Sequence, residues 1–166
     1  MKPLFLALKA NLNNYENIQS DFANLLEGRW VPDENLHLTI NYFGNKYSVE
    51  EILEKLPKLI TPIPTQTLSG LDYFKTNKIL YAKSTSMGIA RLSDSISKKF
   101  SLKQTKEFVP HVTLMRIKNI TDIDSFKEVL ESYKNEDLGS VETTLHLMES
   151  EIRHPGGAVY TSIKSF

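Results

Sequence analysis

The chain of 166 residues contains no cysteine. That excludes a disulfide framework, a thiolate nucleophile, an iron–sulfur cluster and Cys-ligated zinc. Charge of one sign is missing too: 20 Lys and Arg face 20 Asp and Glu, and the pI is about 6.9. A protein that coats nucleic acid through bulk positive charge is therefore excluded, and a local basic cleft is not. No apolar run approaches the ~20 residues needed to cross a bilayer. The opening Met1–Lys9 breaks its apolar stretch too early for a signal peptide. The seven glycines are scattered, with neither GxGxxG nor GxxxxGK[ST], so no nucleotide-binding loop is present. A soluble, cytoplasmic chain is expected, with its chemistry carried by His, Ser/Thr, carboxylates or basic side chains.

Hydrophobic residues make up 40% and charged residues 24%, the composition of a globular domain. Leu4 to Leu8 is short and apolar and reads as a buried strand. Tyr15, Ile18, Phe22, Leu25 and Leu26 follow helical spacing after Asn13 or Asn14, with Gly28 as the stop. Leu36 to Phe43 alternates with period two and reads as a strand. Ser48 and Glu51 form a capping-box pattern for a helix through Leu59, ended by Pro62 and Pro64. Thr67–Phe74 and Lys78–Lys83 read as a hairpin. Ile89, Leu92, Ile96 and Phe100 mark a helix. His111–Ile117 is a strand, and Asp122 or Asp124 opens a helix with Phe126, Val129 and Leu130 inward. Val141–Met148 and Ala158–Ile163 are the last strands. No linker or low-complexity tract interrupts residues 1–166, so one domain is expected. Interleaved helices and hairpins predict an α+β fold with largely antiparallel sheets.

One strand motif occurs twice. Leu36-His37-Leu38-Thr39-Ile40 and Pro110-His111-Val112-Thr113-Leu114 share one frame, in a chain of only four histidines. On a strand, residues i and i+2 project to the same face. Each motif thus sets an imidazole beside a hydroxyl. Two imidazoles near neutrality can divide acid and base duties. Two threonine hydroxyls can donate to the non-bridging oxygens of a phosphate. The set suits hydrolysis of a strained cyclic phosphodiester. A single His-x-Thr on a strand is common, and a half-buried histidine is acceptable wherever it is hydrogen-bonded. Repetition in matching frames is the stronger signal. Neither motif offers a carboxylate or second histidine at ligand spacing, so no metal and no cofactor are expected.

At these residues the chain resembles the 2H phosphoesterases, in particular the RNA 2′,3′-cyclic phosphodiesterases, also called 2′-5′ RNA ligase-like proteins. Gly28 to Gly44 is similar to their first signature and Phe108 to Arg116 to their second. Leu4–Leu8 resembles their opening strand. Met148–Ser150 with Tyr160–Ile163 resembles their closing hairpin. Asn41-Tyr42 departs from the more usual apolar-basic-aromatic run. The resemblance implies two pseudo-symmetric lobes, each an antiparallel sheet with helices packed outside, and a cleft between them. It also implies opening of a 2′,3′-cyclic phosphate at an RNA end to a 2′-phosphate, with His37 as proton donor and His111 as proton acceptor. Spacing alone leaves those two roles open. A catalytically silent RNA-end binding module, and an enzyme acting on a 2′-5′ linkage or a small cyclic nucleotide, are the alternatives.

Other residues carry weaker signals. Arg116 is a candidate for substrate binding; it lies five positions after His111 and points to the opposite face of a straight strand unless twist or a bulge intervenes. Phe5, Tyr42 and Tyr160 are candidates for stacking on a base. Arg29, Lys46 and Arg153 are loop cations, which are mostly just solvated. His146 and His154 lack a threonine two residues on, and His146 reads as outward-facing without a role in catalysis. An RNA 3′ end is the expected partner of a monomer that needs no membrane and no obligate protein partner.

Overall fold

The computed structural model describes residues 1–84, 87–104 and 107–166. Its eight strands are β1 (Leu4–Leu12), β2 (Leu26–Trp30), β3 (His37–Gly44), β4 (Gln66–Phe74), β5 (Ile79–Ser84), β6 (His111–Ile120), β7 (Asp137–Arg153) and β8 (Gly157–Ser165). The helices are α1 (Tyr15–Phe22), α2 (Val49–Lys55), α3 (Met87–Lys99) and α4 (Ile123–Ser132). The strands follow the order β1-β3-β6-β5-β4-β7-β8, every pairing antiparallel, with β2 on β6. β1 also pairs with β7, so six of the strands close a circuit of hydrogen-bonded neighbours. The expected α+β antiparallel architecture is thus present.

The circuit divides into two similar halves. In one, β3 carries α3 on its outer face, where Phe43 meets Phe100 edge-on and Tyr47 donates from its hydroxyl to the Phe100 carbonyl. In the other, α4 packs on β4 and α1 packs on α4, and Phe126 sits between Phe22 and Tyr73. β7 bridges the halves: Asp137–Val141 pairs with β4, while Gly139–Val141 and Leu145–Glu149 pair with β1.

Most elements lie where the patterns place them, and three differ for identifiable reasons. Helix α1 ends at Phe22, because Leu26 to Trp30 is recruited as a strand onto β6. Gly28 therefore sits mid-strand, not at a helix stop. A Cβ there would lie 2.3 Å from the Arg116 carbonyl oxygen, closer than any real contact. Gly28→Ala should push β2 off β6 and cost roughly 1–3 kcal/mol, as overpacking does. The urea midpoint should fall with an unchanged slope; a wild-type midpoint would mean that the two strands are not so close. Helix α2 has the Ser48/Glu51 capping box but stops at Lys55, because Pro57 cannot continue the ladder and starts a 3-10 turn through Leu59. Strand β7 is longer than its apolar stretch because its two ends pair with different partners, β4 and β8.

Candidate active site

The two His-x-Thr strands lie next to each other. β3 and β6 pair antiparallel at Leu38 opposite Val112, both fully buried. The residues flanking that pair project to the opposite face. In this register His37 lies across from Thr113, and Thr39 across from His111. The four side chains thus form a two-by-two array, a convergence that no single motif reveals.

Each imidazole is held in the same way. His37 Nδ1 lies 2.6 Å from the Asn35 carbonyl, and His111 Nδ1 lies 2.7 Å from the Val109 carbonyl. A carbonyl only accepts, so both Nδ1 atoms carry the proton and both Nε2 atoms are the working nitrogens. Two rings wall each histidine. Phe5 and Tyr160 stand 5.3 and 5.0 Å from the His37 ring. Phe74 and Tyr81 stand 5.1 and 5.4 Å from His111. Burial lowers the pKa of both imidazoles, only partly opposed by the carbonyls, and His111 lowers His37 further. The free site therefore holds two mostly neutral imidazoles at pH 7.

A bulge in each strand shapes the rest of the face. In β3, Thr39 pairs with Ala7 and Asn41 with Leu6, so Ile40 is skipped. In β6, Thr113 pairs with Tyr81 and Met115 with Leu80, so Leu114 is skipped. The extra residue reverses the alternation beyond it. Asn41 and Met115 turn into the core, and Tyr42 and Arg116 emerge on the histidine face. The bulge thus puts Arg116, a substrate-binding candidate, on the histidine face. Its positive charge lowers the Tyr160 hydroxyl pKa, though burial of that ring is the larger effect and raises it on balance. Tyr42 is 61% exposed, an open ring surface. Phe5 is 4% exposed and packs with Ala7, Met148 and Tyr160 beneath His37, so it supports the imidazole and offers no open face to a base. Asn41 instead donates to the Ser93 carbonyl and Ser97 hydroxyl, tying β3 to α3.

A cleft of about 680 Å³ opens beside Thr39 and His111, bounded by Tyr42, Phe74, Lys75 and Phe108. Phe74 and Tyr81 were not legible as site residues. They arrive from the hairpin through the pairing of β5 with β6, which leaves no mark in their own spacing. Lys46 donates to the Ser101 carbonyl and Arg153 pairs with Glu151, so both are tied away from the site. Arg29 lies against Gly157 in the β7–β8 turn. No group of three or more His, Asp or Glu side chains among the described residues is arranged to hold a metal. No helix of the described residues is long and apolar enough to cross a membrane.

The chain is similar to known proteins along nearly its whole length. Residues 6–166 match the family model described as the AKAP7 2'5' RNA ligase-like domain. The chain is 27% identical to an RNA 2',3'-cyclic phosphodiesterase of Methanocaldococcus jannaschii, over 98% of this chain and 99% of that one. It is 27% identical to a protein of the same name from Aquifex aeolicus, over 91% and 87%. Among solved structures, E. coli LigT in apo form superposes with a TM-score of 0.70 at 23% identity, covering 99% and 96% of the two chains. TT0787 of Thermus thermophilus gives 0.69 at 25% identity, with the same coverage.

Proposed function

Because the chain belongs to the 2'5' RNA ligase-like family of 2H phosphoesterases, we propose that it hydrolyses a 2′,3′-cyclic phosphate at an RNA 3′ end to a 2′-phosphate without a metal. The carrying observation is the two-by-two array, in which two Nε2 atoms and two hydroxyls share one face. Relatives named RNA 2',3'-cyclic phosphodiesterase cover nearly the whole chain and support the substrate class.

His111 lines the open cleft, from which water arrives. Its neutral Nε2 takes a proton from that water, whose oxygen attacks phosphorus. The phosphorus–O3′ bond breaks in line with the attack. His37, walled by Phe5 and Tyr160, delivers the proton from its Nε2 to the departing O3′. The products are a 2′-phosphate and a 3′-hydroxyl, and the exchanged protonation states reset through solvent. Thr39 and Thr113 donate to the non-bridging oxygens, where negative charge grows. Arg116 adds a cation on the same face. Bound phosphate, being anionic, favours the protonated form of His37 that the free site disfavours.

The reading is tested with a 2′,3′-cyclic-phosphate oligonucleotide in excess EDTA, with products resolved by phosphate position. Full activity with a 2′-phosphate product is expected. Binding without turnover would make the chain an RNA-end binding module. Abolition by EDTA would remove the metal-free mechanism, and a 3′-phosphate product would reverse which ribose oxygen leaves.

A further inference from the structure

The face that bears His37 and Thr39 continues across β1 and β7. Ala7 pairs with Thr39 on one side and with His146 on the other. Cross-strand partners share a face, so His146 lies two strand spacings from Thr39, about 10 Å between backbones, across Ala7, which is buried against Phe5, Met148 and Tyr160. Lys9 pairs with His37 and so stands on the same face one step along β1. The neighbouring core residues Leu6, Leu8, Leu145 and Leu147 are all fully buried, as this alternation requires.

We propose that Lys9 and His146 form a second phosphate subsite, which takes the phosphodiester adjoining the cyclic phosphate of an RNA end. This rests on the function proposed above and adds where the neighbouring phosphodiester of that RNA end is held. Three observations and one consequence of the proposed reaction carry it. Lys9 makes no ion pair among the described residues, whereas Lys2 and Arg153, at the far ends of the same two strands, are both engaged by carboxylates. His146 Nδ1 lies 2.9 Å from the Ser162 hydroxyl. With that hydroxyl donating to Nδ1, the neutral ring turns an Nε2–H donor outward, which serves an anion without needing protonation. Burial and then the Lys9 charge lower the His146 pKa, opposed by Glu142, so the pair offers one cation and one neutral N–H donor. Glu142 is itself engaged by the Asn11 amide. Finally, the in-line reaction puts the leaving O3′, and with it the ribose, on the His37 side. The next phosphate of the chain then runs over β1 and β7 and away from the cleft at His111.

The test compares a dinucleotide ending in a 2′,3′-cyclic phosphate with the corresponding mononucleotide 2′,3′-cyclic phosphate. Wild type should favour the dinucleotide in kcat/KM. In Lys9→Met, which keeps the aliphatic stem, that ratio should fall about tenfold, the loss of one charge-assisted hydrogen bond, mainly through KM. In His146→Phe it should fall severalfold. The slope of log kcat/KM against log salt for the dinucleotide should shrink by about one contact in Lys9→Met. A ratio within twofold of wild type in both variants would overturn the subsite, as would a wild type with no preference for the dinucleotide. A ratio that falls in Lys75→Met and not in Lys9→Met would move the neighbouring phosphate to the cleft beside His111 and overturn it too. Failure of the parent reading looks different: neither substrate is then turned over by wild type.

Discussion

Replacing either His37 or His111 by alanine should lower kcat by about 10²–10⁴-fold, the usual worth of a positioned acid or base. The double variant should lose far less than the product of the two, because both imidazoles act in one displacement. Each ring lies on the face of the sheet away from the core leucines, so truncation should leave the fold intact, as far-ultraviolet circular dichroism can verify. The dependence of kcat/KM on pH carries more information. One ring must be neutral and the other protonated, so the profile should be bell-shaped. Burial lowers both rings below the ordinary imidazole value. The maximum of kcat/KM should therefore lie below about pH 6.5. The kcat profile should sit higher, because bound phosphate stabilises the imidazolium. A profile with one limb, or an optimum well above neutrality, would contradict a two-imidazole mechanism.

The same burial links activity to stability. An imidazole whose folded pKa is depressed binds fewer protons than in the unfolded chain, between the folded value and about 6.5. Its contribution is complete above pH 6.5 and is lost as the pH falls through the folded value. The site therefore works best where the protein has begun to lose stability, a compromise built into paired buried histidines.

How much of this was legible beforehand can be seen at single residues. The repeated frame around His37 and His111 named the four central side chains, because the period-two rule is local. Local patterns also foresaw the cap at Ser48 and narrowed the other to Asp122 or Asp124, of which Asp122 caps the helix. What they missed is non-local. The pairing of Leu38 with Val112 joins segments far apart in the chain, and no local pattern records it. Phe74 and Tyr81 reach His111 only through such pairing. Arg116 and Tyr42 turned on whether the strand keeps its alternation. The sequence carries one quiet sign of the bulges: Ile40-Asn41 and Leu114-Met115 stand at the same offset from their histidines, and Tyr42 and Arg116 at the next. In a straight strand Asn41 would share the face of Thr39. The bulge buries it under α3, where Ser93 and Ser97 accept its amide hydrogens.

The threonines separate a phosphate clamp from a mere structural repeat. Neither the Thr39 nor the Thr113 hydroxyl has a hydrogen-bond partner among the described residues, so neither stabilises the free fold by a bond that valine would forfeit. Valine keeps the β-branched shape that suits a strand and removes only the donor. Thr39→Val and Thr113→Val should therefore leave the unfolding free energy, measured in urea, within about 0.5 kcal/mol of wild type. Attack by water builds negative charge on the non-bridging oxygens, so a hydroxyl placed there favours the transition state over the ground state. Each variant should lose up to ~10²-fold in kcat, the lower range for an oxyanion donor, with a smaller change in KM. Thr→Ser at either position should retain much of the activity. In the two-by-two array each threonine stands across from the histidine of the other strand, so the two losses should be alike. A large loss at one threonine and none at the other would mean that the phosphate lies off the local twofold axis. Wild-type turnover in both valine variants would remove the clamp and leave the paired hydroxyls without a role.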